Sequence, residues 1–350
     1  MFKLVFSCPE VLIPGHSGET GGKPPGLFLR ILSRLYALGV YLVRAGYRSG
    51  IRRVHKAPIA VVSVGNLTLG GTGKTPMTIF IADHFTASKR KPAVLTRGYG
   101  NDECRMLADE LPEVPVYKGQ DRVKNVLKAA RDGRDVAILD DGFQHRRLAR
   151  DLNILLVDAR APFGNGFIFP AGALREPHDA LRRADMVVIT KVDGFTPEEI
   201  RSIKERVAAE SGEKPVMLSR HLPVSFRDLT GSSYGLDVVE GRKVCLVCGI
   251  ADPLYLDSIM ARMGCVVEKK FFYPDHYKYR QEDLDEISRY RASSGIDNIV
   301  TTRKDLVKMR DLDMSGIEDI SLALNIQIDI TEGKESLIAG LDSVFRDTSA

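Results

Sequence analysis

Residues 63 to 76 read Ser-Val-Gly-Asn-Leu-Thr-Leu-Gly-Gly-Thr-Gly-Lys-Thr-Pro and lie between the apolar run Ile59-Ala60-Val61-Val62 and a helical pattern over 77–85. A strand that feeds a glycine-rich turn and then a helix leaves few folds open. Closely spaced glycines let successive backbone N–H groups converge on phosphate oxygens, Lys74 adds a mobile positive charge, and the Thr75 hydroxyl can ligate Mg²⁺. The turn formed by Thr68, Leu69, Gly70, Gly71, Thr72, Gly73, Lys74 and Thr75 is therefore read as the cradle of a nucleoside triphosphate. Thr68 stands where the first glycine of such a loop is usual, and Gly70, Gly71 and Gly73 compensate.

Beyond the loop, strand patterns recur at 91–100, 114–116, 135–140, 152–157 and 186–189, with a helix at 123–132. Strands alternating with helices predict an α/β fold, a P-loop NTPase-type parallel sheet with helices on both faces and ligands at the carboxyl ends of the strands. From residue 215 the texture changes. Strands are expected at 215–219, 243–248, 266–272, 298–301 and 325–330, and helices at 254–263, 281–293 and 334–345. Three parts are expected: an N-terminal extension with an apolar helix over 1–56, a kinase-like core over 57–235, and a smaller C-terminal α/β domain over 236–350. The second boundary falls in the glycine-interrupted stretch 231–241.

A chain of 350 residues with 44% hydrophobic and 27% charged residues has the composition of a globular protein and excludes general disorder. The net charge of +4 is mild, but Arg30, Arg34, Arg44, Arg48, Arg52, Arg53 and Lys56 occur between residues 30 and 56 without a single acid. This asymmetry points to an anionic surface nearby. The stretch 27–47 is strongly apolar yet carries three of those arginines, so it is too charged for a membrane span. Two readings stand, a helix lying in a bilayer interface and a helix packed on the core. Residues 1–23 lack the apolar centre and cleavage site of a signal peptide. The five cysteines are too scattered for a disulfide framework, and Cys245 and Cys248 read as packing residues of a buried strand.

The second chemical constellation is Asp140-Asp141-Gly142-Phe143-Gln144-His145, which closes an apolar strand. A carboxylate there can reach a Mg²⁺ ion held by Thr75 and phosphate, so Thr75, Asp140 and Asp141 form the candidate metal set. His145 could orient a carboxylate, contact phosphate or cap the turn. Arg175 and Glu176 follow a Pro-Ala-Gly loop, where nucleotide or phosphate contacts and a surface salt bridge are both open.

Several further segments resemble one family. Val64-Gly65-Asn66-Leu67-Thr68 running into Gly70–Pro76, Arg97-Gly98-Tyr99, Asp140–His145, Phe163-Gly164-Asn165-Gly166 and Pro170-Ala171-Gly172-Ala173-Leu174-Arg175-Glu176 are similar, in this order, to tetraacyldisaccharide 4'-kinases, the lipid A 4'-kinases. The resemblance continues through Gly249-Ile250-Ala251-Asp252-Pro253, Pro274-Asp275-His276 and Thr301-Thr302-Arg303-Lys304-Asp305. It implies ATP and Mg²⁺, an acylated disaccharide 1-phosphate as acceptor, and a place at the cytoplasmic face of the Gram-negative inner membrane. It also tips the 27–47 helix toward membrane contact, with no nucleic acid and no obligate protein partner.

By the same resemblance Asp102 falls on the catalytic-base position and His276 is its partner, while Asp140, Asp141 and Asp109 remain alternative bases. Asn101 and Cys104 replace the family's Gly and Pro, and Arg303 replaces its usual Glu. A competing reading is a membrane-recruited P-loop NTPase switch or assembly factor, with Thr190-Lys191-Val192-Asp193 imitating a guanine-reading Asn-Lys-x-Asp motif. Nucleic-acid binding through the basic N-terminal segment lacks a recognisable module.

Overall fold

The computed structural model describes residues 25–98 and 102–345, and of Asp102 the backbone alone. The chain runs through α1 (Leu27–Arg48), β1 (Ala60–Asn66), α2 (Lys74–Ala87), β2 (Pro92–Thr96), α3 (Asp102–Glu110), β3 (Val116–Lys118), α4 (Arg122–Arg131), β4 (Val136–Leu139), β5 (Leu152–Asp158), β6 (Met186–Thr190) and α5 (Pro197–Ser211). It continues with β7 (Val216–Arg227), β8 (Ser233–Tyr234), β9 (Lys243–Cys248), α6 (Pro253–Arg262), β10 (Val266–Phe272), α7 (Gln281–Ser294), β11 (Asn298–Thr302), α8 (Arg303–Met309), β12 (Ser321–Glu332) and α9 (Lys334–Ser343).

All these strands belong to one sheet, in the order β10, β9, β11, β12, β7, β6, β5, β1, β4, β2, β3, with β8 beside β7. β1 lies between β4 and β5 and is parallel to both. Its apolar residues alternate between faces, as the period of a strand requires. Val62 and Val64 pack with Met77, Ile81 and Phe85 of α2, whereas Val61 joins Leu95, Val126 and Leu139 on the opposite side. A strand covered on both faces is largely apolar, which is why β4 and residues 186–189 of β6 read as unbroken hydrophobic runs.

From β1 to β7 the strands of the core pair in parallel along the sheet, as the sequence predicted, and the sheet as a whole is mixed because of the strand pairing that joins it to the second half. β7 is parallel to β6 at its start, then pairs antiparallel with β12 from Leu218↔Glu332 to Arg227↔Ala323. β12 in turn pairs parallel with β11. The antiparallel ribbon arises because the chain leaving α8 returns toward the first half of the molecule. α9 falls within the stretch 236–350, yet its Leu337 and Leu341 lie in the same buried cluster as Met77 and Phe85.

Three helices, α3, α5 and α8, lie where the sequence reading placed none. α5 carries its own start signal, a capping box in which the Thr196 hydroxyl accepts from Glu199 N–H and the Glu199 carboxylate accepts from Thr196 N–H. Cys245, Cys248 and Cys265 form no disulfide.

α1 docks through one face only. Ser33 Oγ donates to Ile168 O at 2.6 Å, Tyr36 meets Phe169 edge-on, and Arg44 forms a bidentate pair with Asp179. The opposite face leaves Phe28, Ile31, Leu35, Leu38 and Leu42 exposed, at the 3, 4, 3, 4 spacing of a single helical stripe. Among the described residues no helix is long and apolar enough to cross a membrane.

Candidate active site

β1 delivers the chain into the loop at Asn66, whose amide donates to Thr68 O at 2.7 Å and whose Oδ1 accepts from Lys74 Nζ at 3.4 Å. The loop is braced from two sides. Leu69 N–H donates to Ala173 O and Arg175 N–H to Leu67 O, both at 2.7 Å, so the Pro-Ala-Gly segment backs its first half. The Thr190 hydroxyl at the end of β6 donates to Thr72 O at 3.0 Å. Gly73, at φ 87°, precedes α2, and a Cβ there would lie 2.7 Å from His221 Nε2 on β7. Conformation and space thus both require glycine at this position. Lys74 and Thr75 open α2, so the loop's N–H groups and the positive end of the helix coincide.

β4 ends at Leu139, and Asp140 and Asp141 leave it in different ways. Asp140 is buried, accepts from Thr78 Oγ1 at 3.4 Å, and has its backbone oxygen held by Arg122 Nη2 at 3.1 Å. Burial, reinforced by the charges of Glu103 and Asp141, pushes its carboxyl up to about 7. Asp141 turns out of the strand at φ 52°. Both of its oxygens accept from Arg175 Nη1 at 2.9 Å, and Lys74 Nζ lies 3.9 Å away. Burial opposes its ionisation, but Arg175 and Lys74 outweigh that and hold it well below the usual carboxylate range. Burial lowers Lys74, with Asp141 acting against the shift. One aspartate is therefore a fixed anion paired with cations, and the other is a buried carboxyl with negative neighbours.

The second half of the chain reaches this site at α3. His276, at φ 60° after Pro274-Asp275, places Nε2 3.3 Å from Lys304 Nζ and 3.9 Å from Glu103 Oε1. Lys304 also lies 3.5 Å from both Glu103 and Asp275. Asp102 begins α3 beside Glu103, but its side chain lies outside the described residues, as does Asn101. Three further ion pairs hold α3 to the α8 region: Arg105 with Asp311 at 2.8 Å, Asp109 with Arg310 at 3.5 Å, and Glu110 with Arg303 at 2.7 Å. Arg303 is thus engaged with an acid of α3.

The remaining candidates separate into other roles. His145 N–H donates to Gly142 O, closing the turn, and its buried Nε2 has no hydrogen-bond partner. Burial and the neighbouring Arg122, Arg150 and Arg147 lower this imidazole to about 4, so it is neutral at pH 7. Glu176 is buried between Arg146 and Arg183, at 2.7 and 2.6 Å, while its neighbour Arg175 serves Asp141. Burial raises Glu176 to about 7 despite those arginines. In the 190–193 stretch, Lys191 is buried and paired with Asp158 at 2.7 Å and Asp252 at 3.0 Å. Asp193 accepts from Tyr255 and Arg262. The side chains that would read a guanine are committed to internal pairs.

Asn66, Arg122, Lys304 and His221 were not singled out from sequence. Asn66 and Lys304 lie inside quoted motifs, whereas His221 sits in a strand with no local signal. The family described as Tetraacyldisaccharide-1-P 4'-kinase matches residues 26–346. The chain belongs to that family. It is accordingly an enzyme, a kinase of the lipid A pathway.

A tetraacyldisaccharide 4'-kinase from Desulfatibacillum aliphaticivorans is 35% identical over 346 residues, covering 89% of this chain and 92% of the relative. One from Geobacter metallireducens is 37% identical over 306 residues, covering 80% and 88%. Among solved structures, LpxK from Aquifex aeolicus in complex with ATP superposes with a TM-score of 0.70 at 29% identity, covering 90% of this chain and 98% of that one.

Proposed function

We propose that this kinase transfers the γ-phosphoryl group of ATP to the 4'-hydroxyl of a tetraacyldisaccharide 1-phosphate at the cytoplasmic face of the inner membrane. The observation that carries the reading is Lys74, seated at the mouth of the glycine loop between Asn66 and the ionised Asp141. In this reading the loop N–H groups and Lys74 bind the donor phosphates, and Arg175 keeps Asp141 oriented. Asp102 accepts the proton of the 4'-hydroxyl as the bond from that oxygen to phosphorus forms and the bond from phosphorus to the ADP oxygen breaks. His276, brought to α3 beside Glu103, supports the base.

The residues at the loop fit Mg²⁺. Among the described residues no cluster of three His, Cys, Asp or Glu forms a protein-only metal cage. Thr75 and Asp140 with substrate phosphates make the oxygen set that this ion prefers, and Asp141 completes the candidate set. Burial and the charges of Glu103 and Asp141 raise the Asp140 carboxyl despite Lys74 and Arg122, and a divalent cation bound beside it would favour the ionised form. When bound, Mg²⁺ supplies charge neutralisation on the phosphates.

The exposed stripe of α1 supports the membrane half of the reading. At roughly 1 to 2 kcal/mol for each large apolar side chain withdrawn from water, its five residues would supply about 5 to 10 kcal/mol to interfacial binding. We assign residues 1–56 to an N-terminal extension that carries the membrane-contacting helix α1, 57–235 to the kinase core with the donor site, and 236–350 to the smaller unit that carries His276.

The test is direct: purified protein, ATP, Mg²⁺ and tetraacyldisaccharide 1-phosphate in detergent micelles should yield the bisphosphorylated lipid by mass spectrometry. Protein that binds ATP but forms no such product would refute the acceptor.

A further inference from the structure

Arg146, Arg150 and Arg183 line a cavity of about 380 Å³, with Tyr47 from the last turn of α1 and the exposed Val54 also in its wall. Its charges do not balance locally. Arg146 and Arg183 share one carboxylate, that of Glu176. Arg150 spends its guanidinium on two neutral acceptors, Gly142 O at 3.2 Å and His145 O at 2.7 Å. Asp185, the acid in the cavity wall, accepts from the backbone N–H of Asn153 at 2.8 Å. Arg183 Nε is buried without any hydrogen-bond partner. Burial and the nearby charge of Arg146 lower Arg150 to about 10, even though Glu176 and Asp185 act against the shift.

A cavity lined by guanidinium groups, with an N–H left unpartnered, suits a tetrahedral oxyanion, which arginine binds through paired hydrogen bonds. We propose that this cavity is an anion site distinct from the glycine loop and that it takes a phosphate group, with the phosphodiester of an anionic phospholipid as its ligand. The lipid source rests on the membrane reading of α1, whose last turn forms part of the wall; the phosphate chemistry does not. Arg150 and Arg183 also hold the carbonyls of Gly142, His145 and Phe143, so the occupied site would brace the turn that follows the paired aspartates.

Calorimetric titration of the full chain carrying Lys74→Ala, which disables the glycine loop, tests this with two probes: dihexanoyl phosphatidylglycerol and inorganic phosphate. Saturable one-to-one binding of the lipid is expected. Val54→Glu, which adds an acid at the rim without touching the core, and Arg150→Gln should each weaken it about tenfold, the scale of one charged hydrogen bond. Lipid binding without phosphate binding assigns a headgroup site, and equal binding of both assigns a general phosphate site. No saturable binding of either probe, or binding unchanged in both variants, overturns the proposal.

Discussion

Glu110 at the end of α3 and Arg303 at the start of α8 form a 2.7 Å ion pair with side chains only 14% and 10% exposed, joining the two halves of the chain beside the candidate acceptor site. The resemblance to 4'-kinases leads one to expect an acid at position 303, and the structure supplies the reason an arginine is accommodated. Glu110 faces it, and Arg227 lies 3.8 Å from the same carboxylate.

Breaking this pair should disturb the setting of α3, whose first turn carries Asp102 and Glu103. Arg303→Gln and Glu110→Gln are each expected to lower kcat several-fold with little change in the KM for ATP. A double-mutant cycle on stability should return a coupling of about 1 to 3 kcal/mol. Arg303→Glu should be worse than Arg303→Gln, because it opposes Glu110. Equal kcat in all variants would reduce the pair to a structural contact.

Lys74→Ala and Asp102→Ala should both remove most turnover, but through different steps. The first should also weaken binding of a non-hydrolysable ATP analogue, measured by calorimetry, whereas the second should leave that affinity intact. Matching losses of nucleotide affinity would contradict the separate roles.

Asp140 makes a prediction about pH. Its carboxyl is raised to about 7 from an ordinary value near 4, so the native protein holds this proton more tightly than the unfolded chain. The ionised form costs stability that is lost progressively as pH rises from about 4 to 7. Asp140→Asn should therefore stabilise the ligand-free protein at pH 8 by roughly 1 to 3 kcal/mol, with a smaller gain at pH 5, while abolishing turnover. Thermal melts at the two pH values check the sign, and a gain larger at pH 5 would be the wrong one.

Membrane association can be read independently of catalysis. Leu35→Glu with Leu38→Glu, both on the exposed stripe of α1, should move the protein from the vesicle pellet to the supernatant and raise the KM for micellar lipid while sparing ATP binding. Unchanged sedimentation would leave α1 without the role assigned to it.

Much of the donor side was legible in the sequence because it is local. A strand, a glycine turn and a helix start within residues 59–85 define the loop, and Asp140 and Asp141 lie at the end of an apolar run. What escaped notice depends on chain segments far apart. His221 constrains Gly73 from β7, and Arg303 meets Glu110 across 193 positions of sequence. Short helices escaped for a different reason. α3 and α8 span nine and seven residues, too few turns for a periodic signal to rise above their charged composition. The antiparallel course of β12 was also missed, although the alternation of Ile326, Ile328 and Ile330 with polar residues is the pattern of a strand with one solvated face.

That ribbon of β7 and β12 has a mechanical consequence. A peptide linker would let the two halves tumble through many relative orientations, but twelve-residue strands hydrogen-bonded side by side resist stretching and in-plane shear and yield mainly to twist. The part bearing His276 is therefore tied to the rest by a sheet and not by a loose linker, which favours one placement of it against the first turn of α3. In the proposed reaction, alignment of donor and acceptor would then be built into the stiffness of the sheet and need not be found afresh in every turnover.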